Sequence, residues 1–235
     1  MSNVMNTEVL KNRLSRLPKL MIGLCLFGMS ASIQIAAAIG TASWTALNQG
    51  IALHIPFTVG QVATAVSYII IGIDLLCRQP IGFGSLLNAT FVGIFTDFWL
   101  DVGIFTQPES YVLRLLMLFA SMFISSIGSV LYMSAALGCG PRDTMMVMIN
   151  RKLAKLGYGT VTIIVSAVVT FAAWLLGAPI GIGTLIVFIA GGTIMNMVFK
   201  VVHFVPKDIV HENAIDTIKA LMSKPGVKVE ERPAQ

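Results

Sequence analysis

The sequence predicts an all-α, polytopic helical membrane protein, with about six transmembrane helices in two inverted three-helix repeats. Three observations predict this fold class. The 235 residues are 56% hydrophobic and only 11% charged, whereas a soluble domain is about 25% charged. The apolar residues form six runs that are long enough to cross a hydrocarbon core of about 30 Å. A pattern of small and polar residues recurs 98 or 99 positions later. Lipid is therefore the expected solvent.

The six apolar runs are interpreted as helices because backbone groups in lipid must be satisfied within their own segment. None of the runs has the alternating pattern of a barrel strand. The first run could imitate a signal peptide, since it follows basic residues, but it is long enough to span and has a later counterpart. The predicted spans are residues 18–39, 57–77, 83–103, 112–137, 158–178 and 182–203.

The distribution of basic residues predicts that both termini are cytoplasmic. With that orientation, all but one (Arg114) of the 16 Lys and Arg residues fall on the inner side, where positive charge is retained. The expected organisation is a basic N-terminus at 1–17, three-span repeats at 18–103 and 112–203, and a cytoplasmic tail at 204–235. A short amphipathic helix is expected in that tail, near residues 208–222.

Matching residues define the repeat. Offset by 98 residues, Gly40 matches Gly138 and Thr45 matches Asp143. Each unit holds three spans, so the second unit must be upside down relative to the first, as in transporters with inverted repeats. Offset by 99 residues, the matched positions are Gly60 and Gly159, Pro80–Leu86 and Pro179–Leu185, Gly93 and Gly192, and Asp97 and Asn196.

Two polar breaks, residues 40–56 and 138–157, occupy matching places in the two units. Each follows a small-residue end and predicts a short helix. Ser43 could cap the first helix, Pro141 suits the first turn of the second, and Asp143 suits its positive end. We expect interfacial or re-entrant half-helices, one on each side of the membrane, whose free N–H groups could bind a ligand. Ordinary surface loops are the alternative.

Polar residues in the spans and breaks form the candidate solute site. Asp97 lies inside the third span, where a carboxylate is costly and usually faces a cavity or partner, although a hydrated position near the outer interface is the alternative. Arg142 and Asp143 could bind an anion together with the half-helix terminus. The candidate substrate-binding residues are Asp97, Asn88, Ser85, Arg142, Asp143, Trp44, Thr45 and Asn196.

Other polar and small residues favour structural roles. Trp44 suits an interfacial anchor better than a ligand-stacking role. Asp74 and Arg78 are four residues apart, which favours an interfacial salt bridge over a proton relay. Gln34 could be a buried hydrogen-bonding group. Paired glycines, which permit close packing or act as hinges, are Gly82, Gly84, Gly181 and Gly183.

The sequence gives no sign of a metal, a cofactor or an enzyme site. Cys25, Cys77 and Cys139 are far apart and odd in number, which fits neither a disulfide framework nor a metal site. The three histidines are scattered. No nucleophile elbow, P-loop or His-Glu-x-x-His motif occurs, so we expect a protein that is not an enzyme, with a membrane enzyme as a minor alternative. No nucleic-acid partner is expected.

The stretch from Leu137 to Asp143 resembles the "LGxGPRD" signature of the YczE/YitT-like bacterial integral membrane proteins. Residues 39–50 resemble that family's "LGxxPWxxLxxG" stretch, and residues 82–97 and 177–184 resemble its glycine-rich stretches. Ser43 stands where a proline is usual, Ser85 replaces a threonine, and the fifth span lacks the family's Arg and Glu. The resemblance covers roughly residues 15–200. It implies a bacterial plasma-membrane protein and supplies no substrate.

The pattern as a whole favours a small secondary transporter of a small solute. The two units would rock about a midplane site, with the half-helices near Thr45 and Asp143 as opposite gates and with Asp97 and Asn196 lining the path. The alternative is a non-transporting accessory or regulatory protein that acts through cytoplasmic contacts of residues 142–157 and the tail. The lipid bilayer is the expected partner, and a homo-oligomer or a cytoplasmic protein partner stays open.

Overall fold

The computed structural model describes the backbone of residues 2–153 and 158–204, and the side chains from residue 14 onward apart from residue 158. These described residues form helices and no strand. The predicted tail helix near 208–222 lies outside them. The helices are α1 (Ser2–Ala37), α2 (Ser43–Ala52), α3 (Val59–Leu76), α4 (Phe83–Val102), α5 (Tyr111–Ser134), α6 (Pro141–Lys152), α7 (Tyr158–Leu175) and α8 (Ile182–Val201).

Five of the described helices are long and apolar enough to cross a membrane: α1 from Leu14 onward, α3, α4, α5 and α8. The prediction of a multi-pass helical membrane protein is therefore confirmed. The predicted span at 158–178 forms α7, a shorter apolar helix. This helix ends at Leu175 because Gly177 follows in the left-handed region, with φ +71°, and Pro179 comes two residues later. Large apolar side chains such as Val168 and Ile189 are exposed, as expected for a surface covered by lipid.

Helices α1 and α5 form the central antiparallel pair. They approach closely where Gly23 meets the backbone of Gly128, since a Cβ on Gly23 would lie 2.8 Å from the Gly128 carbonyl oxygen. Farther along, the Ser30 hydroxyl donates a hydrogen bond of 2.9 Å to the Ser121 carbonyl. Small residues at a helix crossing allow this close approach in lipid. Helix α4 packs on α1, α8 packs on α5, and α3 packs on α4.

The two polar breaks fold as the short helices α2 and α6. In α6, Pro141 and Asp143 lie in the first turn, as their residue types predict. In α2, the prediction that Ser43 caps the helix is wrong. Ala42 is the N-cap residue, and Ser43 already lies in the helix. Its hydroxyl oxygen instead accepts a hydrogen bond of 2.8 Å from the Thr170 hydroxyl of α7.

The turns that lead into α2 and α6 pass tightly against the starts of α8 and α4. The Gly183 amide donates to the Ile39 carbonyl at 2.7 Å, and the Gly84 amide donates to the Leu137 carbonyl at 2.8 Å. A Cβ on Gly183 would lie 2.7 Å from the Gly40 carbonyl oxygen. A side chain there would force the backbones apart, so glycine is required for the close contact. Glycines that make these turns and contacts are Gly40, Gly82, Gly84, Gly138, Gly181 and Gly183.

Candidate functional site

The first turns of α2 and α6 meet in the interior of the bundle. The guanidinium carbon of Arg142 lies 5.0 Å from the centroid of the Trp44 ring. Helix α2 starts beside Thr170, within α7, and the Nε2 atom of His54, two residues after its end, lies 3.1 Å from the carbonyl oxygen of Leu176. Its first turn is therefore deeper in the bundle than its last turn. Such a half-helix directs its positive end inward.

Helix α6 also starts inside the bundle and ends at its surface. Its N-cap, Gly140, lies beside Asn88, within α4, because a Cβ on Gly140 would be 3.4 Å from the Asn88 amide nitrogen. The last turn carries the exposed residues Arg151 and Lys152. The two half-helices thus direct their N-termini toward the same interior region.

Tyr132 on α5 holds the start of α6. Its hydroxyl donates a hydrogen bond to the Asp143 carboxylate and accepts one of 3.0 Å from the Gly140 amide. Sequence reasoning missed Tyr132, although the repeat contains a signal for it. Offset by 98 residues, Tyr132 matches Gln34, and the buried Gln34 side chain accepts a hydrogen bond of 2.9 Å from the Ala42 amide. Each half-helix is therefore held by a polar side chain from the helix before it.

The electrostatics of this region favour an anionic group on a ligand. Arg142 is half-buried, and its Nε is buried with no hydrogen-bond partner among the described residues. The arginine charge is stabilised by the Trp44 ring, an interaction worth about 2 kcal/mol or more where water is excluded. The half-helix N-termini add partial positive charge. Asp143 contributes one negative charge, which lies against Tyr132. The region therefore offers a cation, the positive ends of two helices and an aromatic face.

Several candidate residues lie in or beside this region. Ser85 is buried and donates to the Cys139 carbonyl in the turn before α6. Thr45 is half-buried beside Trp44 in the first turn of α2. The interpretation of Trp44 as an interfacial anchor is wrong. Its ring contacts Arg142 and packs against the buried cluster that contains Ile70, because the first turn of α2 lies inside the bundle.

Asp97 and Asn196 lie at opposite ends of the bundle. Asp97, near the end of α4, accepts hydrogen bonds from the Thr58 hydroxyl and, at 2.8 Å, from the Gly60 amide. It thereby fastens the start of α3 to α4. Asn196 is exposed near the end of α8, which runs opposite to α4. The structure does not bring these two side chains together.

The prediction of a salt bridge between Asp74 and Arg78 is wrong. Asp74 is fully buried, and neither of its carboxylate oxygens has a hydrogen-bond partner in the part of the chain that the structure describes. Arg78 is exposed and lies past the end of α3 with φ +55°. This left-handed turn leaves the helical path, so Arg78 is not one helical turn above Asp74.

Helices α3 and α4 are closed together, whereas α7 and α8 stand apart. A Cβ on Gly60 would lie 2.1 Å from the Gly93 carbonyl oxygen. At the matching positions 99 residues later, a Cβ on Gly159 or Gly192 would have no described atom within 4 Å. A mainly apolar cavity of about 420 Å³ opens between α7 and α8, near the turn that joins them. The two matching helix pairs therefore differ in conformation.

Replacing Tyr132 by phenylalanine should lower the free energy of unfolding by about 1–3 kcal/mol, because the buried Gly140 amide and the Asp143 carboxylate each lose a partner. The measurement is the midpoint of thermal unfolding in detergent. Tyr111→Phe, at an exposed residue, is the matched control and should have little effect. Equal effects of the two changes would contradict a role for Tyr132 in holding α6.

Comparisons with known proteins give a family and no described activity. A model of a family of unknown function, DUF6198, matches residues 14–200. The uncharacterized membrane protein YczE of Bacillus subtilis (strain 168) is 32% identical over 173 residues, which are 72% of this chain and 78% of that protein. The uncharacterized protein YyaS of the same organism is 30% identical, over 80% of this chain and 94% of its own length. An uncharacterized protein of Haemophilus influenzae is 25% identical, over 80% and 84%. No solved structure matches the chain.

Proposed function

The chain belongs to the DUF6198 family of YczE-like membrane proteins, and we propose that it is a small secondary transporter that moves a small solute by alternating access. Two inverted repeats, residues 18–103 and 112–203, would exchange conformations about the region between Trp44 and Arg142. The chain would act without enzymatic chemistry. With both termini cytoplasmic, the closed end at Thr58 and Asp97 would face the outside, and the separated positions Gly159 and Gly192 would lie toward the inside.

Matched contacts support the inverted repeat. The Gly84–Leu137 and Gly183–Ile39 hydrogen bonds join equivalent atoms in the two units. Ala38 and Ala136, 98 residues apart, both adopt positive φ, at 51° and 55°. Such non-glycine residues are uncommon, so finding them at matching positions favours a shared architecture over chance.

The main support for alternating access is that the α3–α4 pair and the α7–α8 pair differ in how closely their helices pack. In a transporter with inverted repeats, one conformation closes one unit and opens the other, and the second conformation exchanges these roles. Here α3 and α4 meet at Gly60 and Gly93, while Gly159 and Gly192 face open space. Polar contacts differ in the same sense. The Ser85 hydroxyl donates to a carbonyl, whereas the matching buried hydroxyl of Thr184 has no hydrogen-bond partner within the described ranges.

The region between Trp44 and Arg142 suits a solute site. These two residues match one another at the 98-residue offset, so their contact lies near the axis that would relate the two units. A site on that axis is shared by both conformations, which is the position expected for a transported solute. Arg142 and the half-helix N-termini would bind an anionic group on that solute.

A disulfide can capture the second conformation. In a chain without native cysteines, Gly159→Cys and Asn196→Cys should form a disulfide in membranes, although α7 and α8 stand apart here. The matching residues Gly60 and Asp97 are within hydrogen-bonding distance in the closed unit. The measurement is the oxidised fraction, read on a gel from the thiols that remain free to react with a maleimide–polyethylene glycol after oxidation.

The control pair is Ile164→Cys with Asn196→Cys. Ile164 matches Ala65, which is exposed in the closed unit, so this pair should not meet when α7 closes on α8. Alternating access is supported if the first pair is oxidised much faster than the control pair. Equal rates, or no disulfide in either pair, would reject the exchange of conformations.

A further inference from the structure

Asp74 is a buried carboxylic acid that the proposed solute site does not use. It is 0% exposed, and both side-chain oxygens are buried with no hydrogen-bond partner among residues 2–153 and 158–204. It lies one helical turn after Ile70 and three residues before Cys77. Both of these residues pack in the cluster formed by α3 with Met145 and Met148 of α6. The carboxyl group is therefore on the side of α3 that faces α6.

An ionised carboxylate is poorly accommodated in this position. Burial of a charge without a partner costs far more than burial of a neutral polar group, and within a membrane span the cost is not relieved by water. Packing does not require an acid here. At the matching position of α7 stands Ala173, which is also 0% exposed. The neutral, protonated acid is therefore the form that fits the described conformation.

The charged groups on the helices that pack against α3 are placed away from Asp74 or are engaged elsewhere. Helix α2 carries no charged residue. On α4 the acids lie near the end that meets the start of α3, whereas Asp74 lies near the end of α3. On α6 the first-turn pair meets Trp44 and Tyr132, and the last-turn pair is exposed. These groups are Asp97 and Asp101 on α4, and Arg142, Asp143, Arg151 and Lys152 on α6.

We infer that Asp74 is the proton-binding site that couples proton movement to the alternation of α3, an inference that rests on the proposed transport function. In the described conformation the carboxyl holds its proton. When α3 moves away from α4, its packing against α6 around Asp74 changes as well. The O–H bond then breaks, the proton passes to water and the carboxylate remains. Because the second unit has alanine at this position, each chain carries one such site.

Infrared spectroscopy tests the bound proton without a transport assay. Purified protein in lipid nanodiscs at neutral pH should show the C=O stretch of a protonated carboxyl, and Asp74→Asn should remove it. Asp101→Asn, at an exposed acid on α4, should leave the band unchanged. Asp74→Glu should shift the band, and this variant replaces Asp74→Asn in the test if Asp74→Asn does not fold. A spectrum that lacks the band, or a band unaffected by both Asp74 variants, would overturn the inference.

The coupling is tested with the Gly159→Cys/Asn196→Cys pair. Its oxidation rate is measured between pH 6 and pH 8, with Asp74 present and with Asp74→Asn, so that the pH dependence of the thiols cancels in the ratio. One coupled proton should change this ratio by up to about tenfold per pH unit. A constant ratio would reject the coupling, while a disulfide would still support the transport proposal. Absence of any disulfide would reject the transport proposal, and the infrared band would then decide the proton site alone.

Discussion

Replacing Gly60 by valine should destabilise the protein by about 3 kcal/mol or more, whereas the same change at Gly159 should leave its stability within about 0.5 kcal/mol. Both glycines occupy the second position of a helix, α3 or α7, so the intrinsic effect of valine on the helix is matched. A Cβ on Gly60 would lie 2.1 Å from the Gly93 carbonyl oxygen, while one on Gly159 meets no described atom within 4 Å. The measurement is the midpoint of unfolding in detergent.

Gly159→Val should nevertheless prevent α7 from closing on α8. Cysteines at Ile163 and Ile189 report this closure, because their counterparts Thr64 and Thr90 are joined by a hydrogen bond of 3.4 Å. That disulfide should form in the parent chain and fail to form in Gly159→Val. If Gly159→Val destabilised the protein as much as Gly60→Val does, α7 and α8 would be closed in the resting protein. The conclusion that the two units differ in conformation would then be wrong.

The sequence predicts the helices well because hydropathy and length depend on local composition. Paired glycines and the 98-residue offset also predict where the chain turns inward. The short α7 could not be predicted from hydropathy, which continues past Leu175. It depends on the left-handed turn at Gly177. A pattern that shows only an apolar run does not report where the backbone leaves the helix.

Contacts between the two repeats could not be predicted from either repeat alone. Trp44 is a residue type common at membrane interfaces, and only the meeting of the first turns of α2 and α6 brings it against Arg142. The spacing of Asp74 and Arg78 favours a salt bridge on a continuous helix, yet the helix ends between them. In both cases the path of the backbone, rather than the residue type, determines which side chains meet.

The two intramembrane acids differ in their surroundings, which leads to opposite expectations for them. Asp97 receives hydrogen bonds from the Thr58 hydroxyl and the Gly60 amide, which join the start of α3 to α4. Asp74 has no described donor. Asp97 is therefore expected to hold the closed unit together, whereas Asp74 is the acid assigned to the proposed proton coupling.

Asp97→Ala should open α3 from α4 and accelerate the labelling of a cysteine at Thr64 by a water-soluble thiol reagent. A hydrogen bond to a charged group contributes about 1.5–3 kcal/mol, so losing both should favour opening by roughly 100-fold or more. Asp97→Asn should have a smaller effect, because its amide oxygen still accepts from Gly60. Asp101→Ala, one turn later and exposed, is the control. Unchanged labelling in Asp97→Ala would mean that glycine packing alone closes this unit, because the carboxylate would then contribute nothing to the closed state.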